Sequence, residues 1–424
     1  MSRAIAILAA LLASLPLDAA LTPAQRQLNI ESFEHVWSVI RDKHWQTKPG
    51  GLDWQAVHDE FRPKIEAADS MEAARDVLNQ MLARLHQTHF GIVPAEIYSS
   101  VDGSRSGDTT TGIDVRVVGA QVLVTSVDPD SSAFAQGVRP GWEIRKIAAA
   151  DLAPIVAQLN QTYAGSTLRD LILRRAILAR LDGAASVQVD FMDGAGKVVT
   201  KSLAQGHAKG DRVEFGYLNP MNVWFRSSRV GDGNIGYVAF NVFLDAPRLM
   251  TSFGDAVQSC EKCEGFIIDL RGNPGGLGIM AMGMSGWFIS QPDQKLGTLY
   301  LRDSTLNFVV NPRLTTFSGP LAILVDGASA STSEIMAEGL KDLGRARIFG
   351  TRTAAAALPS LFEKLPNGDG FQYAVANYVS EGGKPLEGLG VTPDVEAPVS
   401  RQALLEGKDP PLDAAVEWVE RQKR

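Results

Sequence analysis

The sequence predicts an α+β multidomain protein: a helical N-terminal part, a small β-rich domain, and a larger core in which strands and helices alternate in layers. Apolar residues recur at helical spacing through 25–90, short alternating β segments fill 109–205, and fully apolar strands alternate with helices from 233 onward. At 424 residues, 45% hydrophobic and 21% charged, the chain has the composition of a globular protein with room for more than one domain. Its net charge of −7 argues against nucleic acid as the main partner, which would favour a basic face.

The first residues read MSRAIAILAALLASLPLDAALTPAQ, with one Arg, an apolar stretch from 4 to 15, then Pro16 and the small residues Ala19 and Ala20. This is the layout of a secretory signal peptide over 1–20, and its apolar part is too short to span a bilayer. No Cys follows the apolar run, so no lipid anchor is indicated. With no other segment of membrane-spanning character, the expectation is a soluble, exported protein, periplasmic or secreted. An N-terminal helical domain follows over 21–95. FEHVWSVIRDKHW and MEAARDVLNQMLARL carry its helical spacing, Pro49-Gly50-Gly51 interrupts it, and Asp53 starts a new helix. Residues 96–108 turn polar and rich in Gly and Ser, as a linker does.

The stretch from 109 to 205 alternates as strands do, with a turn and a short helix from 131 to 137, a helix over 168–181, and the strand SVQVDFMD. Gly112-Ile113 before a strand, VTSVDPDSSAFAQGV and RPGWEIRKI make it resemble a PDZ domain of the bacterial protease type. The resemblance implies that a peptide C-terminal carboxylate docks on backbone N–H groups at Gly112 and Ile113, and that the peptide adds as a strand to a sheet edge.

The core spans 221–400, with a final helix in 401–424. GNIGYVAFNVF is a strand. GFIIDL (265–270) is a buried one, followed by the loop RGNPGG and a helix in GIMAMGMSGWFI. LAILVDG (321–327) is a second buried strand, and a helix runs from about Thr332 to Leu343 and ends at Gly344. ARIFG and FQYAVANYVS each read as a strand, and LDAAVEWVERQ as the last helix. Two cysteines, Cys260 and Cys263, form a C-x-x-C. Zinc would need about four ligands, and no His or second Cys pair is close by. A thioredoxin-type context is also missing, which leaves a local disulfide or two idle thiols. No metal or organic cofactor is expected.

A serine nucleophile needs a rigid, exposed turn beside a base, with N–H donors facing the developing oxyanion. LAILVDGASASTSEIMAEGL offers such a turn, with Ser329, Ser331 and Ser333 where a helix begins and its dipole suits negative charge. Ser331 and Glu334 also fit a capping box, so the motif alone does not separate a cap from a nucleophile. There is no G-x-S-x-G elbow at this turn.

GFIIDLRGNPGG, then VDGASASTSEI, then PLEGLGVTPDVE, in this order after the PDZ-like stretch, resemble the C-terminal processing (tail-specific) and tricorn-like serine peptidase family. The resemblance covers most of the chain and implies a layered core of the ClpP/crotonase-like kind. It implies Ser331 as nucleophile, and an oxyanion hole from a backbone N–H of Gly275 or Gly276 with that of Thr332. The tail-specific branch uses a Lys base in a T-F-G-K-G-like segment, but here that position is Ala356, with Lys341 and Lys364 only at a distance. The tricorn-like branch instead uses a His from the N-terminal side and a late Glu. MLARLHQTHFGIVP aligns His89 with that base, better than His86, and PLEGLGV supplies Glu387. A neutral imidazole takes a serine proton readily, and a carboxylate can fix its tautomer. The expectation is therefore an exported serine endopeptidase with a Ser331–His89–Glu387 triad, acting on proteins or peptides. The alternatives are an inactive peptide-binding protein on the same scaffold, which the missing Lys motivates, and an acyl-CoA enzyme of the crotonase type, against which the export signal and the PDZ-like stretch speak.

Overall fold

The computed structural model describes residues 21–95, 109–182, 185–216, 218 and 220–422. The signal-peptide reading of 1–20 and the linker reading of 96–108 lie outside the described residues.

Three helices open the chain: α1 (Pro23–Lys43), α2 (Trp54–Glu66) and α3 (Met71–Ala83). Each starts on a side-chain cap. Thr22 accepts from Gln25, Asp53 from Gln55 and Ala56, and Ser70 from Ala73. Their buried faces, including Phe33, Ile40, Phe61, Leu78 and Met81, do not form an isolated core. They share it with Leu365, Phe371 and Tyr373 from late in the chain. The link is the strand β1 (Gly91–Val93), which follows α3 and pairs antiparallel with a strand at 370–374.

The second unit is a sheet of β2 (Ile113–Val118), β3 (Gln121–Val127), β4 (Glu143–Ile147), β5 (Ser186–Met192) and β6 (Val198–Ala204), paired in that order. A short helix, α4 (Ser132–Ala135), is capped by Ser131. Two longer helices, α5 (Leu152–Thr162) and α6 (Leu168–Leu181), close a separate core around Val115, Val124, Ile177 and Phe191. The expected helix over 168–181 is present at those bounds. Helix α5 was not anticipated, because its short apolar spacing is carried by Leu152, Val156 and Leu159 alone.

The core is a six-stranded sheet made of β7 (Phe225–Val230), β8 (Ile235–Phe240), β9 (Gly265–Asp269), β12 (Leu321–Val325), β13 (Arg347–Gly350) and β17 (Val395–Glu396), in that spatial order. Strand β7 is antiparallel to β8, and all other pairs are parallel. Every residue of β8, β9 and β12 is buried. The reason is that both sheet faces are covered. On one face Phe240, Phe266, Ile268, Ile323 and Ile348 meet the helices α7 (Ala246–Gln258), α8 (Gly278–Ser285) and α9 (Thr332–Asp342). On the other, Tyr237, Ile267, Leu324 and Phe349 meet the last helix, α11 (Pro410–Arg421), which follows the short α10 (Arg401–Leu405).

Two smaller sheets flank this core. Strands β10 (Lys295–Tyr300) and β11 (Thr305–Val309) form a hairpin, and β14 (Ser360–Lys364) pairs with β15 (Gly370–Ala374). FQYAVANYVS, expected as one strand, is split: β15 pairs with β1 and β14, whereas β16 (Asn377–Ser380) pairs with β10. The chain leaves the first sheet at Val375, whose N–H donates to Pro359 O at 2.9 Å. Cys260 and Cys263 are joined as a disulfide in the turn between α7 and β9, beside the Arg229 guanidinium.

Candidate active site

The parallel strands of the core all release their loops at one edge of the sheet, where α/β proteins build binding sites. Strand β8 leads into 241–244, β9 into Arg271–Gly276, β12 into Asp326–Ser331 and β13 into Thr351–Ala357. Asn273 stitches two of these loops together. Its Nδ2 donates to Phe240 O, its Oδ1 accepts from Gly275, and its carbonyl accepts from Ala330 N and Ser333 Oγ.

The three serines of the second loop differ in what their hydroxyls do. Ser329 Oγ donates to Leu270 O at 2.7 Å, and Ser333 Oγ donates to Asn273 O at 2.9 Å. Both are buried. The Ser331 hydroxyl donates to no group among the described residues. The capping box with Glu334 is present, and the Ser331 N–H reaches Glu334 Oε2 at 2.9 Å. An ordinary N-cap residue is extended, however. Ser331 has φ 55° and ψ −117°, a left-handed conformation that costs a non-glycine residue roughly 1–3 kcal/mol. Capping does not require this strain. Presenting a side chain outward from a tight strand-to-helix turn does.

The oxyanion-loop candidates separate on their backbone N–H groups. Gly275 N–H is already committed to Asn273 Oδ1 at 2.9 Å. The N–H groups of Gly276 and Thr332 have no hydrogen-bond acceptor among the described residues. Both glycines have positive φ, 96° and 137°. A Cβ on Gly275 would lie 2.7 Å from Ser331 Cβ and 2.8 Å from Thr332 N, so the close approach of the two loops requires glycine here. Thr332 Oγ1 fixes the neighbouring loop by donating to Gly276 O at 2.7 Å.

His89 and Glu387 are brought together through a residue the sequence reading did not single out, Thr88. Glu387 Oε1 accepts from Thr88 N–H at 2.8 Å, and Glu387 Oε2 accepts from Thr88 Oγ1 at 2.9 Å. Thr88 Oγ1 lies 2.7 Å from His89 Nδ1. Because the hydroxyl proton goes to the carboxylate, the His89 nitrogen facing Thr88 carries its proton and donates, which leaves Nε2 as the basic nitrogen. Glu387 Oε2 also accepts from Ala357 N–H at 3.0 Å, in the loop beside the serine. Burial and, second, the charge of Arg175 push His89 down to about 4. Burial raises Glu387 above the ordinary carboxylate range, and its hydrogen bonds oppose that rise. His86, the competing histidine, is exposed, and its ring enters no hydrogen bond among the described residues. No hydrogen bond joins Ser331 to the His89 ring in this state.

Ala356 is buried in an apolar cluster with Leu171, Ala328, Ala330 and Ala354. Its carbonyl accepts from the Ser331 N–H at 2.8 Å. The nearest candidates to replace a lysine point elsewhere. Lys341 is held by Thr392 O at 2.7 Å and Asp394 at 2.9 Å, and Lys364 is exposed on β14. Glu334 ties the alanine loop to the serine turn, accepting from Ala355 N at 2.9 Å and Ala356 N at 3.1 Å as well as from Thr353 Oγ1. It is fully buried, and desolvation pushes it up to about 7 against those three donors and the Ser331 N–H.

Helix α6 of the second unit lies across this loop cluster. Leu171 joins the alanine cluster, Arg174 Nη1 reaches Gly272 O at 3.3 Å, and Arg116 of β2 pairs with Asp326. In the same unit Gly112 has φ 80°, and its N–H donates to Thr110 Oγ1 at 3.1 Å. Ile113 is 5% exposed and paired in β2 with Val127. A carboxylate docking at these two residues would first have to displace Thr110.

Residues 234–397 match peptidase family S41, and residues 29–83 match the tricorn protease C1 domain. A carboxyl-terminal-processing protease of Picosynechococcus sp. is 25% identical over 391 residues, 88% of this chain and 83% of that protein. The solved photosystem II D1 C-terminal processing protease aligns over 94% of this chain and 97% of its own, at 21% identity and TM-score 0.59. Mature CPAF aligns over 94% and 97%, at 14% identity and TM-score 0.61. At these identities the two solved structures speak for the fold.

Proposed function

The chain carries a peptidase family S41 domain and is a serine-type peptidase, and from that premise we propose that it hydrolyses peptide bonds with Ser331 as nucleophile, His89 as base, and Glu387 acting on His89 through Thr88. The observation that carries this reading is the unbroken hydrogen-bond chain from Glu387 to Thr88 to His89, beside the strained Ser331. His89 Nε2 takes the Ser331 proton when substrate closes the site, and Ser331 Oγ attacks the scissile carbonyl. Geometry at the hydrogen-bonding level often tightens only with substrate bound. The oxyanion is held by the N–H groups of Gly276 and Thr332, the two that are free, while Gly275 serves the approach of the loops. His89 then returns the proton to the leaving amine, and water releases the acyl-enzyme.

The substrates we propose are proteins or peptides, processed toward their C-termini as the names of the relatives suggest. The unit at 109–205 is read as a PDZ-like module that selects or gates them. Export is supported by the N-terminal sequence and by the Cys260–Cys263 disulfide, which persists in oxidising compartments. No described helix is long and apolar enough to cross a membrane.

A fluorophosphonate probe tests the assignment. The wild type is expected to label and Ser331→Ala not to; label persisting on Ser331→Ala, or absent from the wild type, sinks it. Burial of Ala356 where a lysine base would stand keeps the second reading, an inactive peptide-binding protein, in view. Casein turnover by wild type and its loss in His89→Ala would exclude that reading.

A further inference from the structure

His44 closes the C-terminal end of α1 and is wholly buried. Its backbone is fixed by its own surroundings. Its N–H donates to Ile40 O at 3.2 Å, and the carbonyls of Arg41 and Asp42 just before it accept from Arg302, in the turn between β10 and β11, at 2.9 and 2.6 Å. The ring stacks on Trp45 with centroids 3.9 Å apart, and on Phe90 at 5.9 Å. Both ring nitrogens are used. Nδ1 lies 3.0 Å from the Gln46 backbone nitrogen, whose N–H can only donate, so Nδ1 accepts and carries no proton. Nε2 therefore carries the proton and donates to Gln87 Oε1 at 2.9 Å. Burial pushes the ring's pKa down against these two bonds, which favours the neutral form that the bonding pattern needs.

Gln87 and Phe90 bracket Thr88 and His89. The turn that carries them is strained. His86 has φ 53° and His89 φ 62°, in the left-handed region that costs a non-glycine residue about 1–3 kcal/mol. Such a conformation persists only where its surroundings enforce it. The peptide unit joining Gln87 to Thr88 is held from two sides: Glu387 accepts from its N–H at 2.8 Å, and His44 grips the side chain of Gln87. On the far side of His89, Phe90 lies against the same imidazole.

We propose that His44 is a positioning residue for the His89 base, holding the 86–90 turn through Gln87 and Phe90 so that His89 Nε2 is set relative to Ser331. It acts through the turn and takes no part in the proton transfer. The proposal rests on the reading of Ser331 as nucleophile and His89 as base.

Two variants cut the link from opposite ends. His44→Phe keeps the stack on Trp45 and Phe90 and removes both ring nitrogens. Gln87→Met keeps the length of the side chain and removes the acceptor. His44→Gln is the conservative variant, because its amide N–H can take the place of the Nε2 donor. Casein turnover is measured per active molecule, counted by fluorophosphonate labelling of Ser331 run to completion, and the urea midpoint is read beside it. In each of His44→Phe and Gln87→Met, kcat is expected to fall by roughly 10- to 100-fold, the cost of a reacting group misplaced by about 1 Å, with KM near that of wild type. His44→Gln should recover most of the loss. The double variant His44→Phe/Gln87→Met should be no slower than the slower single, since both remove one link. Wild-type kcat per active molecule in both singles, with only a lower urea midpoint, makes His44 a stability residue and overturns the proposal. So does a double variant whose losses multiply. Should His44→Phe fail to fold, kcat of Gln87→Met decides alone. Full turnover in His89→Ala, or turnover that persists in Ser331→Ala, removes the catalytic reading and this inference with it, whereas a loss in those two beside an unchanged Gln87→Met overturns the inference alone.

Discussion

Thr88 shows how far a single hydroxyl can decide a site. It stands between Glu387 and His89, so the carboxylate reaches the imidazole through an intervening O–H. Thr88→Val keeps the shape and removes that bridge. Its kcat is expected to fall by about 10²–10⁴, since losing the group that fixes the base's tautomer costs up to about 10⁴ in a serine triad; Thr88→Ser should restore most of it. The pH profile follows from the proton on His89. Burial and Arg175 hold the ring down to about 4, so the base form dominates above that pH. Activity should persist through mildly acidic conditions and fall as pH drops through about 4, well below an ordinary histidine. In Arg175→Gln the acid limb of kcat/KM should move upward. Ser331, His89 and Glu387 were legible as candidates because each stands in a recognisable local string. Thr88 was not, because its role exists only where Glu387 crosses the fold to meet it.

At the scale of elements, the start of α9 is held by Glu334 as firmly as it is shaped by Ser331. Four donors converge on the Glu334 carboxylate, two on each oxygen. In Glu334→Gln one oxygen becomes an NH₂ group and faces N–H donors. The expected loss is about 1–3 kcal/mol, because on either side one backbone donor, Ala355 or Ala356 N–H, is left unpaired, whereas Ser331 N–H keeps Ala356 O; it is read as a lower urea midpoint. The sign of the pH effect is distinctive. A buried carboxyl raised to about 7 holds its proton in the folded state after the unfolded chain has released it. Glu334 therefore makes stability fall as pH climbs from the ordinary glutamate range toward about 7, opposite to the contribution of His89. Gly275→Ala tests the neighbouring loop: the added methyl meets Ser331 Cβ, and kcat should drop by about 10²-fold or more if the oxyanion geometry is disturbed. The sequence made β9, β12 and α9 easy to find, because strands buried on both faces are apolar without interruption. The division of FQYAVANYVS between two sheets was hidden, since both halves are equally strand-like and only the Val375–Pro359 bond marks the break.

Across the whole molecule, the N-terminal helices are a structural part of the later chain. Arg75 of α3 binds Asp369 through Nε and Nη2, and Asp369 is wholly buried in the β14–β15 hairpin. Arg75→Met strands a buried carboxylate, which typically costs about 3–5 kcal/mol. Activity should fall alongside stability, because the His89 turn hangs between α3 and β1, and β1 is paired to that same hairpin. The layered architecture was legible in the order of apolar strands and helices. The shared core was not, because local periodicity does not say which distant segment a helical face will meet. That distance bears on how such an enzyme is made. His89 is among the earlier residues to leave the ribosome, Ser331 follows much later, and Glu387 comes after both. Thr88 and Ala357, the residues that Glu387 joins, stay unconnected until the chain has been synthesised almost to its end. The proposed site is therefore complete only after nearly the whole chain has left the ribosome, and a chain still being made lacks the finished Ser331–His89–Glu387 set.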